Sequence, residues 1–228
     1  MTNPPLGGIK ACLFDAYGTL FDYASAAARC RDALGDKFEN LNALWRQKQL
    51  QYTWLRSLQE AHADFWQVTS DALDFALETL ELRGPALRDQ LMASYLKLQT
   101  FPEVRDMLAR LRAAGLKTAI LSNGSPAMLQ AIVEYNGIDH LLDGVFSVEE
   151  VGVYKPHARA YRLAAERLGM NRSAISFQSA NAWDAYAASA FGMRVVWCNR
   201  YDQRPERLPG KPDFQVKTLA ELPAIVGA

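Results

Sequence analysis

One change of rhythm limits what this chain can fold into. Ile9 to Phe14 is a short, mostly apolar run ending in Asp15, with a turn residue at Gly18, and it reads as a buried strand. Strands then stop. From about Ser25 to Leu98 the apolar residues recur at helical spacing and no segment makes a convincing strand. Leu41, Leu44, Trp45, Tyr52 and Leu55 fall on one helical stripe. Phe65, Val68, Leu73, Leu77 and Leu80 suit a second helix, and Gly84-Pro85 separates it from a third around Leu87 to Leu98. At Pro102 the rhythm changes back. Strands are predicted at Thr118–Leu121, Gly144–Val148, Ala174–Phe177, Val195–Trp197 and Phe214–Val216. Between them lie helices at Glu103–Ala114 (stopped by Gly115), from Ser125-Pro126 onward, and at Pro156–Leu168, Ala182–Phe191 and Leu219–Ile225.

Strands alternating with helices imply a parallel sheet covered on both faces. The first strand cannot be stable alone and must join that sheet. The expected fold class is therefore α/β, a doubly wound, Rossmann-like parallel-sheet core with an inserted all-helical cap domain. Residues 1–20 and 101–228 form the core, and residues 21–100 the cap. A chain of 228 residues, half of them hydrophobic, is long enough to bury such a core.

Composition narrows the partners. Lys plus Arg equals Asp plus Glu at 25 each, with no basic block or acidic tail, so nucleic acid and anionic membrane are not expected. Cys12, Cys30 and Cys198 are odd in number and far apart, which reads as reduced thiols of a cytoplasmic protein. His62, His140 and His157 lack metal-ligand spacing and read as surface or capping residues, so no metal or cofactor is expected. The start, Met1 to Gly8, lacks the pattern of a signal peptide, and no apolar run is long enough to span a bilayer.

In open α/β sheets ligands sit beyond the carboxyl ends of the strands. The polar residues there form four groups: Asp15, Tyr17 and Thr19; Ser122, Asn123 and Gly124; Lys155 before Pro156; and Ser179, Asn181 and Asp184. Each has a bland reading. Asp15 fits a turn, Ser122 and Asn181 fit helix caps, Asp184 fits the start of a helix, Lys155 fits another, and Arg46 fits a solvated helix face. Trp45, Trp54, Trp66, Phe65 and Trp183 fit a core. Only joint placement at equivalent strand ends points to one pocket.

Those groups carry a resemblance. Phe14-Asp15-Ala16-Tyr17-Gly18-Thr19-Leu20 resembles the first motif of the haloacid dehalogenase superfamily, and Leu121-Ser122-Asn123-Gly124, Lys155-Pro156 and Ser179-Ala180-Asn181-Ala182-Trp183-Asp184 resemble the others, in order. Within it, Trp45-Arg46-Gln47-Lys48-Gln49-Leu50 is similar to the cap of the L-2-haloacid dehalogenases. Two departures stand in the fourth motif: Ala180 where a second serine is usual, and Gln178 where an apolar residue is usual. The resemblance implies Asp15 as covalent nucleophile, supported by Thr19 and Ser179. Lys155, assisted by Tyr161 (itself placed among the substrate-binding residues), keeps Asp15 ionised, while Asp184 orients Lys155 or activates water and Asn181 shapes the water site. Ser122 and the backbone N–H groups of Ala16 and Tyr17 hold the substrate carboxylate. Arg46 and Asn123 take the halide, and Phe65 and Trp183 wall the pocket. It also implies a homodimer.

The residue types suit carbon–halogen hydrolysis. Relatives that cleave phosphate esters carry a second Asp two positions after the nucleophile, where this chain has Tyr17. A phenol near pKa 10 is a poor acid for an alkoxide leaving group, whereas halide needs no proton. In the implied reaction Asp15 attacks C2 of an L-2-haloalkanoate, expels halide with inversion, and water opens the aspartyl ester to give a D-2-hydroxy acid. Two anions about 4 Å apart repel by on the order of 4 kcal/mol at an effective dielectric near 20, roughly a thousandfold in rate, so cations must flank the nucleophile. A magnesium-dependent phosphatase or phosphonatase of the same superfamily is the alternative, and a non-catalytic small-acid binder is a third reading.

Overall fold

The computed structural model describes residues 4–23 and 31–228. The expected onset of the helical stretch at Ser25 and the thiol of Cys30 lie outside these. Six parallel strands form one sheet: β1 (Ala11–Phe14), β4 (Lys117–Ser122), β5 (Gly144–Ser147), β6 (Ile175–Ser179), β7 (Arg194–Cys198) and β8 (Phe214–Val216). Their order is β5-β4-β1-β6-β7-β8. Ala11, Cys12, Leu13 and Phe14 are all fully buried, so β1 is covered on both faces, which explains its unbroken apolar run. The chain winds outward from β1 through β4 to β5, then returns to the other side of β1 with β6. The order reverses beside β1, and the crevice at such a reversal is where open α/β sheets bind ligands.

The helical insert leaves this sheet and returns to it. Its ends meet in a short antiparallel pair absent from the sequence reading, β2 (Phe21–Asp22) with β3 (Gln99–Thr100). Two residues are too few to carry a period, and only their pairing defines them. Beyond it come α1 (Phe38–Leu58), α2 (Phe65–Thr79) and α3 (Pro85–Ser94), the last continued by a 3-10 turn over Tyr95–Lys97. Asp64 caps α2 by accepting from the Gln67 N–H at 2.8 Å. Leu41 and Trp45 of the expected stripe are buried, but Leu55 is 44% exposed. The remaining helices are α4 (Val104–Ala113), α5 (Pro126–Asn136), α6 (Ala158–Leu168), α7 (Ala182–Phe191) and α8 (Leu222–Val226).

Three boundaries move for local reasons. Ala158, not Pro156, starts α6, capped by His157, whose Nδ1 accepts the Arg159 N–H at 3.2 Å. Val148 opens a 3-10 turn instead of ending β5, and Leu219 to Glu221 is likewise 3-10 before α8. Among the described residues no helix is long and apolar enough to cross a membrane.

Gln178 is fully buried on β6. Its Nε2 donates to Ser176 Oγ at 2.6 Å, but its Oε1 finds no donor among the described residues. Replacing both partners, as S176A/Q178L, removes the orphan without creating another, and should raise stability by about 1–2 kcal/mol, or roughly 2–8 °C in Tm. Thermal unfolding checks this, and an unchanged or lower Tm would refute it.

Candidate active site

Asp15 continues β1 by one residue. Its N–H donates to the Gln178 carbonyl at 2.9 Å, which sets the carboxylate beside Ser179 at the end of β6. The carboxylate is 6% exposed, and its two oxygens are treated differently. Oδ2 accepts from Thr19 Oγ1 at 2.9 Å, Ser179 Oγ at 3.2 Å and Asn181 Nδ2 at 2.8 Å. Among the described residues Oδ1 accepts only from Lys155 Nζ, at 3.1 Å. Three neutral donors hold Oδ2 in place, and Oδ1 keeps a lone pair free on the cavity side.

The supports are themselves tied down. Ser179 Oγ accepts from the Asn181 N–H at 3.1 Å, and Thr19 Oγ1 from the Ala180 N–H at 2.8 Å. Position 180 thus contributes its backbone here, and Asp15 has its three donors without a second serine. Asn181 sits at the N-cap of α7 but makes no capping bond, because its side chain turns to Asp15 instead. Ser122 is no cap either; that role falls to Ser125, which accepts from the Met128 N–H. Ser122 Oγ instead accepts from the Gly124 N–H at 3.1 Å and faces the cavity.

Lys155 Nζ bridges two carboxylates, 3.1 Å from Asp15 and 2.8 Å from Asp184. Burial alone works to lower its pKa, but the two carboxylates outweigh it and hold the ammonium above its ordinary range. Burial raises the Asp184 carboxyl in turn, against the pull of Lys155. Both Asp184 oxygens are occupied, Oδ2 by Lys155 and Oδ1 by the Tyr161 hydroxyl at 2.6 Å. Burial keeps the Tyr161 phenol neutral and therefore a donor. Tyr161 does not line the cavity beside Asp15, contrary to its placing with the substrate-binding residues; it lies behind Asp184, packed edge-on against Phe177. Ala16 likewise turns its side chain into the core.

The cavity over Asp15 has an empty volume of ≈ 260 Å³. The core supplies Tyr17, Ser122, Asn123, Lys155, Asn181 and Trp183, and the insert supplies Arg46, Leu50 and Phe65. Leu50 was not singled out in the sequence, although it follows Arg46 by four residues on one helix face. Arg46 Nη2 donates to Asn181 Oδ1 at 3.3 Å, so the guanidinium reaches the core. Asn123 Oδ1 accepts from the Lys155 N–H at 3.0 Å. Among the described residues the buried Tyr17 hydroxyl has no hydrogen-bond partner, and burial lifts its pKa well above the phenol value, so it is a neutral donor. Gly124 is needed beside it: a Cβ there would lie 2.8 Å from the Tyr17 hydroxyl. The N–H groups of Ala16 and Tyr17 have no acceptor among the described residues.

A larger cavity, ≈ 1240 Å³ of empty volume, lies on the other side of Trp183, lined by Trp54, Tyr161, Phe191 and Leu208 among others. No carboxylate lines it, so size does not mark the chemistry. Trp54 meets Trp183 edge-on at 5.6 Å between centroids and forms the partition. Among the described residues no cluster of three or more His, Cys, Asp and Glu is placed to hold a metal ion.

A parallel sheet bearing an aspartate beyond its first strand, a lysine bridging two carboxylates and a helical insert over the site define a hydrolase class. The chain belongs to the haloacid dehalogenase-like hydrolases, whose family model matches residues 9–192. It is 44% identical over 215 residues to (S)-2-haloacid dehalogenase 4A of Burkholderia cepacia, covering 94% of this chain and 93% of that one. It is 47% identical over 212 residues to (S)-2-haloacid dehalogenase of Pseudomonas sp. (strain YL), covering 92% and 91%. The structure of L-2-haloacid dehalogenase from Xanthobacter autotrophicus with chloropropionic acid covalently bound superimposes with a TM-score of 0.90 at 38% identity, covering 96% of this chain and 99% of that one.

Proposed function

We propose that this chain hydrolyses L-2-haloalkanoic acids to D-2-hydroxy acids through an aspartyl ester on Asp15. One observation carries the reading: a buried carboxylate held at Oδ2 by three neutral donors and flanked at Oδ1 by Lys155. Such an oxygen is an ionised nucleophile aimed without rotational freedom. It attacks C2 in line, the C–halogen bond breaks, and both electrons of that bond leave with the halide. Lys155 offsets the charge of nucleophile and substrate. The free N–H groups of Ala16 and Tyr17, with Ser122, receive the substrate carboxylate. Arg46 and Asn123 stabilise the departing halide as its charge develops. Phe65, Trp183 and Leu50 keep the site apolar around C2. Water then adds to the ester carbonyl and the bond from that carbonyl carbon to the oxygen on C2 breaks; one water proton goes to that oxygen, giving the hydroxyl of the product, and the other is released to solvent as the Asp15 carboxylate reforms. Asp184, with both oxygens engaged, serves as the residue that positions Lys155 rather than as the base.

The core at 1–20 and 101–228 and the cap at 21–100 are proposed as the two domains, supported by the β2–β3 pair that joins the insert's ends at those positions. A homodimer is proposed on the exposed apolar residues Leu55 and Leu58 of α1 and Phe75 of α2, and sedimentation at the monomer mass would exclude it. The buried unpaired thiols Cys12 and Cys198 suit a cytoplasmic protein.

The chemistry is tested by a single turnover of L-2-chloropropionate with excess enzyme in oxygen-18 water, without added metal. Chloride release with label in Asp15 and unlabelled lactate is the expected result. Label in the lactate would mean direct attack by water, and no chloride at all would redirect the search to phosphate esters with magnesium.

A further inference from the structure

Gln49 is fully buried on α1, one turn from Arg46. A buried primary amide must satisfy both its ends. Its Oε1 accepts from Arg46 Nη1 at 2.7 Å and from the Tyr95 hydroxyl at 3.4 Å. Its Nε2 donates to Thr69 Oγ1 at 2.8 Å, and the Thr69 hydroxyl donates in turn to the Phe65 carbonyl at 2.6 Å. Trp45 Nε1 donates to the Thr69 carbonyl at 2.9 Å, clamping α1 to α2 at the same level. The guanidinium is thus gripped at Nη1 from inside the insert, while Nη2 is held against Asn181 of the core at 3.3 Å.

The identity of the gripping residue matters electrically. A glutamate of the same reach would hold Arg46 more strongly, but as an ion pair, and the cation would already be neutralised when halide charge develops. An apolar residue would leave Arg46 charged but free to swing to solvent. Glutamine supplies the acceptor without the charge.

We propose that Gln49 is a positioning residue for Arg46, fixing the guanidinium over the site while leaving its charge unspent for the leaving halide. This rests on the reading of Arg46 as a halide-binding group, and the test separates the two. Q49E, Q49M and R46A are compared with the wild type for kcat and KM on L-2-chloropropionate and for the chloride inhibition constant, with circular dichroism as the check on folding. Q49E is expected to fold, keep KM within about threefold, lower kcat at least tenfold and raise the chloride inhibition constant at least tenfold. Q49M is expected to lower kcat by a similar factor while changing the chloride constant far less, because charge is retained and only position is lost. If R46A keeps wild-type kcat and chloride inhibition, the reading of Arg46 falls and the proposal falls with it. If R46A is impaired but Q49E keeps wild-type kcat and chloride inhibition, only the proposal for Gln49 falls. Equal losses in Q49E and Q49M with no change in chloride inhibition would reduce Gln49 to a structural residue and overturn it.

Discussion

Asp15→Asn should release chloride from L-2-chloropropionate at no more than about one ten-thousandth of the wild-type rate, since the covalent nucleophile is gone. The protein should remain folded. An amide can still place its oxygen where Oδ2 now takes Thr19, Ser179 and Asn181. Its nitrogen then faces Lys155 Nζ, one donor against another, at a site where the native separation is 3.1 Å. That mismatch should lower stability by about 1–3 kcal/mol. Binding should move the other way. With one anion removed from the cavity, the substrate carboxylate meets less repulsion, and L-2-chloropropionate should bind several-fold more tightly than to the wild type. Trp183 lines the cavity and gives a fluorescence signal for that titration. Turnover within tenfold of wild type would remove Asp15 from the role assigned to it.

Lys155→Met should be the most damaging single change to stability and should also cost most of the rate. The ammonium is 1% exposed and is the shared partner of Asp15 and Asp184. Without it two carboxylates face one another in a buried site, and removing one member of such a pair typically costs about 3–5 kcal/mol. Loss of the offsetting charge should lower kcat/KM by about a thousandfold or more. Adding Asp184→Asn to Lys155→Met should restore part of the stability, because one unpaired charge is removed, but none of the activity. Urea unfolding and chloride release measure the two effects separately. A double variant no more stable than Lys155→Met would contradict the electrostatic account. The pH dependence follows from the direction of the Lys155 shift. A lysine whose pKa is raised on folding contributes stability that is complete below its unfolded pKa, about 10.4, and is lost as pH rises through the higher folded value. The buried thiols of Cys12 and Cys198 and the buried phenols of Tyr17 and Tyr161, all pushed up by burial, also lose stability at alkaline pH, so above about pH 10 the stability of the wild type should fall more steeply than that of Lys155→Met, and the difference between the two slopes is the contribution of the lysine.

Much of this molecule is legible from periodicity. Ala11 to Phe14 reads as a two-faced buried strand because every side chain there is apolar, and all four are buried. The polar residues at strand ends are legible for a related reason: where an apolar run stops in a parallel sheet, the chain reaches the ligand face. Arg46, Gln47, Lys48 and Gln49 show where that logic ends. Four polar residues in a row look like one solvated helix face. In the structure Gln47 is exposed and Lys48 sits 4.2 Å above the Phe75 ring, but Arg46 reaches Asn181 and Gln49 is buried. Nothing local distinguishes them, because, apart from the bond the two make to each other, the partners that place Arg46 and Gln49 lie on other elements, 135 and 20 residues away.

The same division runs through the whole site. By itself the sequence determined the order of strands and helices, the interruption after the first strand, and which side chains stand at the carboxyl ends, since all of these follow from local spacing and residue type. Only the tertiary structure decided that Tyr161 stands behind Asp184 instead of in the cavity, that Asn181 turns from its helix cap to Asp15, and that Lys155 lies between two carboxylates. A polar group's partner is settled by which elements pack together, and the hydrogen-bond requirement of buried groups then selects one arrangement among those the local sequence allows.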